Sequence, residues 1–222
     1  STLLASSAAS DVYKIQEYGI EMRRVLTGFK YIGDQIASLE AAGHPERYIF
    51  GFEESYGYLS GGYVRDKDAV DASMLICQMA YYYKQQGKTL VDAMNELYAK
   101  HGYYKNGLLN FAFEGEDGMK TMNRIMDTLR ANAPAEIAGY QVSGWSDYEA
   151  SKRYDGGAES EISLPKSNVL EYRLENGSKV IVRPSGTEPK IKIYLSAKGD
   201  GQAASEEIVG KLEAAIKPLL GI

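Results

Sequence analysis

Hydrophobic and polar positions alternate with a period of two over Lys190–Ser196, where Ile191, Ile193 and Leu195 interleave with Lys190, Lys192 and Tyr194. That pattern predicts a strand with one buried face. Two runs before it, Val169–Leu174 and Lys179–Arg183, flank Asn176-Gly177, a two-residue hairpin signal because both residues tolerate positive φ. A three-strand meander follows from these spacings. A closing helix over Ala204–Lys217 presents Ile208, Leu212 and Ile216 to one face of that sheet. Upstream, Leu108–Phe113 and Gly139–Ser146 read as further strands, the second with Trp145 near its end. Between them Met119, Met122, Ile125, Met126 and Leu129 recur at helical spacing up to Pro134, as core filler rather than metal ligands. Asp147–Lys166 is polar and Gly-containing and reads as loop.

The first hundred residues show α/β patterning. Thr2–Ala5 reads as a short strand, Ser10–Tyr18 as a helix ended by Gly19, and Ile20–Leu26 as a second strand. Gly33–Ala42 reads as a helix up to Gly43, and Arg47–Phe52 as a buried strand running into a Gly-dotted loop. Two helices follow. One spans Ala69–Gln86 with Met74, Ile76, Cys77, Met79 and Ala80 inside and Tyr81–Tyr83 as packing; the other spans Leu90–Lys100, with Leu90, Ala93, Met94 and Leu97 on one face. Gly102–Asn106 is polar and turn-like, which places a domain boundary near Lys105. The expected organisation is therefore an α/β domain over residues 1–105 and an α+β domain with an antiparallel sheet over residues 106–222.

Composition narrows the class. The 222 residues are 44% hydrophobic with a formal net charge of −5, enough apolar content for two cores and an overall field that disfavours nucleic acid and anionic membranes. A single cysteine, Cys77, excludes an internal disulfide framework and fits a reducing, cytoplasmic setting. No apolar run reaches 18 residues, and Ser1-Thr2-Leu3-Leu4 has no initiator Met, basic n-region or cleavage site, so neither membrane insertion nor secretion is expected. His44 and His101 lack partners at metal-ligand spacing. Gly87-Lys88-Thr89 resembles a P-loop end, but Tyr82 stands where its leading glycine would fall. Asn176-Gly177-Ser178 has the form of a glycosylation sequon yet sits in the hairpin turn.

Any phosphate bound by an acidic chain must be held by local geometry. Arg183-Pro184-Ser185-Gly186-Thr187-Glu188-Pro189-Lys190 offers a bidentate cation, two hydroxyls and a permissive glycine between stiffening prolines. A Pro/Gly turn with a solvated arginine would use the same residues, so the chemistry alone leaves both readings open. The second segment is Gly51-Phe52-Glu53-Glu54-Ser55-Tyr56-Gly57, placed after a strand, where Glu53 and Ser55 could grip a diol and a solvated acidic loop is the alternative. In Val64-Arg65-Asp66-Lys67-Asp68 the intervening lysine argues against a cation loop. Lys67 among carboxylates could shuttle a proton or be a plain surface ion pair.

Taken together, Leu26-Thr27-Gly28-Phe29-Lys30-Tyr31-Ile32, the Glu-Glu-Ser loop, Val64–Asp68 and the Arg-Pro-Ser-Gly-Thr-Glu-Pro loop resemble the α-D-phosphohexomutase family, in its phosphoglucomutase-like branch. The resemblance covers essentially the whole chain. It implies the family's third domain, a three-layer α/β domain here lacking its beginning, followed by the fourth, an α+β two-layer domain with a TATA-binding-protein-like antiparallel sheet. It implies interconversion of glucose 1-phosphate and glucose 6-phosphate through glucose 1,6-bisphosphate. Glu53 and Ser55 would hold sugar hydroxyls, with Lys30 and Arg65 nearby. Arg183, Ser185, Gly186 and Thr187 would anchor the phosphate not being transferred, and Lys67 would be the proton shuttle. The family's catalytic serine and its Mg2+ loop have no counterpart in this chain, so the missing N-terminal domains would be its partners and the fragment alone would be inactive. Tyr56-Gly57-Tyr58 after Ser55 favours a glucose- or pentose-type mutase, with phosphomannomutase, phosphopentomutase and a non-catalytic sugar-phosphate binding module as alternatives.

Overall fold

In the computed structural model, residues 19–23, 25, 28–53, 57–115 and 117–222 are described. The expected strand at Thr2–Ala5 and helix at Ser10–Tyr18 lie outside them. The chain divides into two units, separated among the described residues between His101 and Gly102.

In the first unit, helix α1 (Phe29–Ala41) places Phe29, Ile32, Ile36 and Leu39 at helical spacing on one buried stripe. A 3-10 turn, Pro45–Arg47, precedes a short antiparallel hairpin of β1 (Gly51–Glu53) and β2 (Gly57–Leu59). Val25, Phe29, Ile32, Ile36 and Leu59 form the core of this unit, with Tyr48 donating its hydroxyl to the Leu59 carbonyl at 3.0 Å. Helix α2 (Ala69–Gln85) is capped by Asp68, whose carboxylate accepts from the Val70 and Asp71 amides at 2.8 and 3.1 Å. Helix α3 (Leu90–His101) begins with a reciprocal cap: the Asp92 amide donates to Thr89 Oγ1 at 3.1 Å and the Thr89 amide to Asp92 Oδ2 at 2.8 Å. Gly87-Lys88-Thr89 thus leads into a helix cap.

Several expectations for this unit are corrected. Residues 20–23 and 25 are not in a strand. The buried strand expected at Arg47–Phe52 is reduced to β1, with Ile49 56% exposed and Phe50 also exposed, because Pro45 sets a 3-10 turn through Arg47. Helix α2 forms over the expected range and leans on β2 and α3, but Met74 (61% exposed), Ile76, Cys77 and Met79 lie on the surface. Tyr81 and Tyr82 are exposed as well, with the Tyr82 ring edge-on to that of Tyr83 at 5.3 Å between centroids. On α3, Ala93 is buried while Met94 and Leu97 are exposed.

The second unit is a two-layer α+β structure. Its strands are β3 (Tyr103–Ala112), β4 (Glu136–Ile137), β5 (Tyr140–Asp147), β6 (Lys152–Asp155), β7 (Ala158–Glu161), β8 (Leu170–Leu174), β9 (Lys179–Pro184) and β10 (Lys190–Gly199). The sheet is antiparallel in the order β3-β10-β9-β8-β5-β6-β7, with β4 paired to β5. Helices α4 (Gly118–Ala131) and α5 (Gln202–Leu220) supply Met122, Ile125, Met126, Leu129, Val209, Leu212 and Ile216 to a core shared with Leu170, Val180, Val182, Ile191, Ile193 and Leu195. The meander β8-β9-β10 holds as expected, and at its first turn Gly177 adopts φ 83°, which a residue with a Cβ reaches only under strain.

Two segments depart from expectation. Tyr103–Asn106, read as a turn, is the first part of β3, because β10 extends to Gly199 and pairs it residue by residue. Asp147–Lys166, read as loop, carries the β6–β7 hairpin. It joins the sheet by antiparallel pairing of β6 with β5, and side chains reinforce the join. Trp145 stacks on Tyr154 at 4.3 Å, and Arg173 donates to Ser146 Oγ (2.7 Å), Glu171 (3.0 Å), the Trp145 and Tyr154 carbonyls (3.2 and 3.3 Å) and Asp155 (2.7 Å).

These contacts predict an asymmetry of stability. Leu212→Ala, at a fully buried position, should cost about 3 kcal/mol in urea unfolding followed at Trp145, whereas Met79→Ala on the exposed face of α2 should stay within about 0.5 kcal/mol. Arg173→Met should protect the β6–β7 amides from hydrogen exchange less than wild type, with β9–β10 amides unchanged.

Candidate functional site

The candidate residues fall into two groups, one in each unit. In the first, the β1–β2 turn carries Glu53 at the end of β1, directly opposite Gly57. Glu53 is 8% exposed, and a Cβ on Gly57 would stand 2.8 Å from its Cγ and Oε1, so a glycine is what gives the carboxylate its room. Lys67 Nζ lies 3.3 Å from Glu53 Oε1, 3.8 Å from Asp66 Oδ1 and 5.8 Å from the centre of the Phe29 ring at the start of α1. The hydrogen bond and charge of Glu53 raise the Lys67 pKa above its ordinary 10.5, so the ammonium stays protonated through the neutral range. Such a lysine can donate a hydrogen bond or a proton to an arriving oxygen; it is not poised as a base.

The neighbouring acids are committed elsewhere. Asp68 caps α2 and accepts from the Tyr63 hydroxyl at 2.7 Å, which lowers the Asp68 pKa and pushes that of Tyr63 up to about 12. Asp71 accepts from the Ser60 amide and hydroxyl at 2.7 and 2.5 Å. Among the described residues no group of three His, Cys, Asp or Glu side chains could hold a metal ion.

Other expected members are not brought to Glu53. Arg65 pairs with Glu40 on α1 and donates to the Gly62 carbonyl, a position that braces the loop against the helix. Lys30 is exposed on α1 with its ammonium 4.9 Å from the centre of the Tyr31 ring. Ser55 lies outside the described residues, together with Glu54 and Tyr56.

The second group sits where β9 turns into β10. The Ser185 amide donates to the Lys190 carbonyl at 2.8 Å and the Lys190 amide to the Glu188 carbonyl at 2.7 Å, closing the loop on a short stem. Within it, Ser185 Oγ accepts from the Thr187 and Glu188 amides at 3.4 and 3.3 Å. The Pro189 carbonyl accepts from the Phe113 amide at 2.8 Å, tying the loop base to the end of β3. Gly186 and Thr187 are exposed at the tip, and a side chain added at Gly186 would meet nothing within 4 Å. Arg183, half-buried, makes no ion pair among the described residues.

The register adds residues that the sequence pattern did not single out. Arg183 is directly opposite Lys192, and Lys192 is opposite Asn110 on β3. Directly opposed residues share a face, so a row of Asn110, Lys192 and Arg183 crosses the three strands at spacings of about 5 Å per strand. Only long-range pairing reveals this row; the Lys190–Ser196 alternation, which put Lys192 on the polar face, was its one local trace. Such an arrangement concentrates positive charge beside exposed hydroxyl and amide donors and is suited to a dianion.

Comparison with known proteins converges on one family. The model of phosphoglucomutase/phosphomannomutase alpha/beta/alpha domain III matches residues 1–101, and that of the phosphoglucomutase/phosphomannomutase C-terminal domain matches residues 108–209. A phosphoglucomutase of Staphylococcus haemolyticus is 40% identical over 196 residues, covering 87% of this chain and 35% of its own. One of Staphylococcus aureus is 44% identical over 181 residues, covering 81% of this chain and 32% of its own. The chain thus spans about a third of the length of the curated relatives it matches. In fold, it is similar to the open form of parafusin, a phosphoglucomutase from Paramecium, with a TM-score of 0.61 at 19% identity over 96% of this chain and 36% of that one. With both units matched and the mixed α/β architecture in agreement, the chain belongs to the phosphoglucomutase/phosphomannomutase family.

Proposed function

We propose that this chain supplies the sugar-gripping and phosphate-anchoring parts of a cytoplasmic enzyme that interconverts glucose 1-phosphate and glucose 6-phosphate through a bisphosphate intermediate. The observation that carries the reading is the Ser185–Thr187 loop, held on a hydrogen-bonded stem with an open Gly186 and with Arg183 free of acidic partners among the described residues. Preorganisation of this kind lowers the ordering cost of binding. Arg183 would take the phosphate oxygens in bidentate fashion, the Ser185 and Thr187 hydroxyls would donate, and Gly186 would let the ligand approach the backbone. Anchoring the phosphate that is not transferred leaves the other end of the sugar free to react.

The Glu53–Lys67 pair suits the sugar. A carboxylate accepts hydrogen bonds from adjacent ring hydroxyls, and because those hydroxyls are central to the ring, the same grip serves either orientation of the substrate. Ser55 would join Glu53, and Lys67, kept protonated by it, would donate toward a sugar or phosphate oxygen. Phosphoryl transfer also needs a nucleophile and charge neutralisation, which the resemblance assigns to parts of the family enzyme other than those matched here. On this reading the chain binds but does not turn over alone, and the N-terminal domains of the family enzyme are its working partners.

Titration of the chain with inorganic phosphate and with glucose 1-phosphate, followed by amide NMR shifts, tests this directly. Both ligands should shift Ser185–Thr187, and Arg183→Ala should weaken both by at least tenfold, the loss of a charged hydrogen bond of about 1.5–3 kcal/mol. Only the sugar phosphate should also shift β1–β2, and Glu53→Gln should remove that response while leaving the phosphate response intact. Shifts absent from Ser185–Thr187 at saturating phosphate would overturn the assignment.

The Lys67 contribution has a defined pH window. Its raised pKa means that the ion pair is fully present below 10.5 and is lost as pH rises through the folded value above that. Sugar-dependent shifts at β1–β2 should therefore show no lysine titration between pH 7 and about 10. A step in that interval, absent in Lys67→Met, would count against a lysine held by Glu53.

A further inference from the structure

Glu188 is an acidic side chain inside a loop otherwise built to attract anions. Its Oε2 lies 2.7 Å from Lys190 Nζ, its amide donates to Ser185 Oγ at 3.3 Å, and its carbonyl accepts from the Lys190 amide at 2.7 Å. Lys190 and Lys192 are two residues apart on β10 and so share a face, and Lys192 is directly opposite Arg183. The carboxylate therefore stands at the edge of a cluster of three cations. It is exposed, as is Lys190, so the pair rests in solvent and contributes little to fold stability. The ammonium of Lys190, followed by the more distant charge of Lys192, lowers the Glu188 pKa, which keeps the carboxylate ionised wherever phosphate is a dianion.

We propose that the Glu188 carboxylate is a built-in competitor for the cations of the phosphate loop, a positioning residue that weakens phosphate binding and hastens release. In the unliganded loop it neutralises Lys190 and part of the field of Lys192. A phosphate dianion at Ser185–Thr187 meets Arg183 and Lys192 as attractors and Glu188 as a repulsion. This tuning suits a site that must catch and free the same anion at each turnover. The inference rests on the phosphate reading given above and concerns the strength of that site rather than its location.

The test is calorimetric titration of the whole chain with inorganic phosphate at pH 8 and at several NaCl concentrations, comparing wild type, Glu188→Gln, Glu188→Asp and Arg183→Ala. Glu188→Gln should bind roughly three- to tenfold tighter at low salt, with a steeper loss of affinity as salt rises, because one screening charge has been removed. Glu188→Asp retains the charge and should stay close to wild type. A side chain that only shaped the loop would leave the salt dependence unmoved. Equal or weaker binding by Glu188→Gln, beside clear binding by wild type and its loss in Arg183→Ala, overturns the inference while the phosphate site stands. No phosphate binding by either wild type or Glu188→Gln, or undiminished binding by Arg183→Ala, overturns the phosphate reading and this inference with it.

Discussion

The pairing of β9 with β10 is the constraint on which the second unit depends. Val180 and Val182 on one strand and Ile191, Ile193 and Leu195 on the other are almost completely buried in the core shared with α4 and α5, and that burial sets the register. A slip of one residue would turn this whole apolar set to solvent and bring Lys192 into the core. Because register is thus held by many methyl groups, Arg183 and Lys192 are obliged to face one another on the opposite side, and the turn between the strands is obliged to project from the same end. The polar row costs the fold little, since the hydrophobic face alone carries the specification.

What was legible in the sequence follows from which forces are local. The alternation through Lys190–Ser196 and the Asn176-Gly177 turn are local, and the meander formed where they indicated. The β6–β7 hairpin was not legible, because its residues are dotted with glycine and charge and show no buried face, while Arg173, which reinforces its pairing with β5, lies eighteen residues beyond Asp155. The extension of β3 back to Tyr103 was hidden for the same reason: a polar segment becomes strand when a long partner, β10, is available to pair it. In the first unit the opposite occurred. The helical period of α2 was read correctly, yet its apolar side chains are exposed, since periodicity reports which face wants burial and is silent on what covers it.

The candidate sites divide along the same line. Glu53 with Lys67, and the stem of the Arg183–Lys190 loop, were visible as motifs and are assembled by contacts within about fifteen residues. Arg65 pairs with Glu40, a partner from α1 that no local pattern announces. Lys192 and Asn110 became visible only through strand pairing. Net charge was a poor guide throughout. A chain of formal charge −5 still concentrates three cations at one strand end, because a field at a few ångströms is set by neighbours and not by the total.

Both units place a carboxylate against a lysine, and the difference between the pairs lies in burial. Glu53 is buried, packed over Gly57, and Lys67 reaches it from a half-exposed position. A held acceptor of that kind suits the neutral, multi-hydroxyl ring of a sugar, since each hydroxyl bond is worth little and only geometry makes the sum selective. Glu188 is exposed and unconstrained beyond its ion pair. A charge in solvent can shift when a dianion arrives, so it modulates strength without defining shape. On the proposed reading one pair would supply geometry and the other field, and each is built from the same two residue types by the accessibility that the surrounding backbone allows.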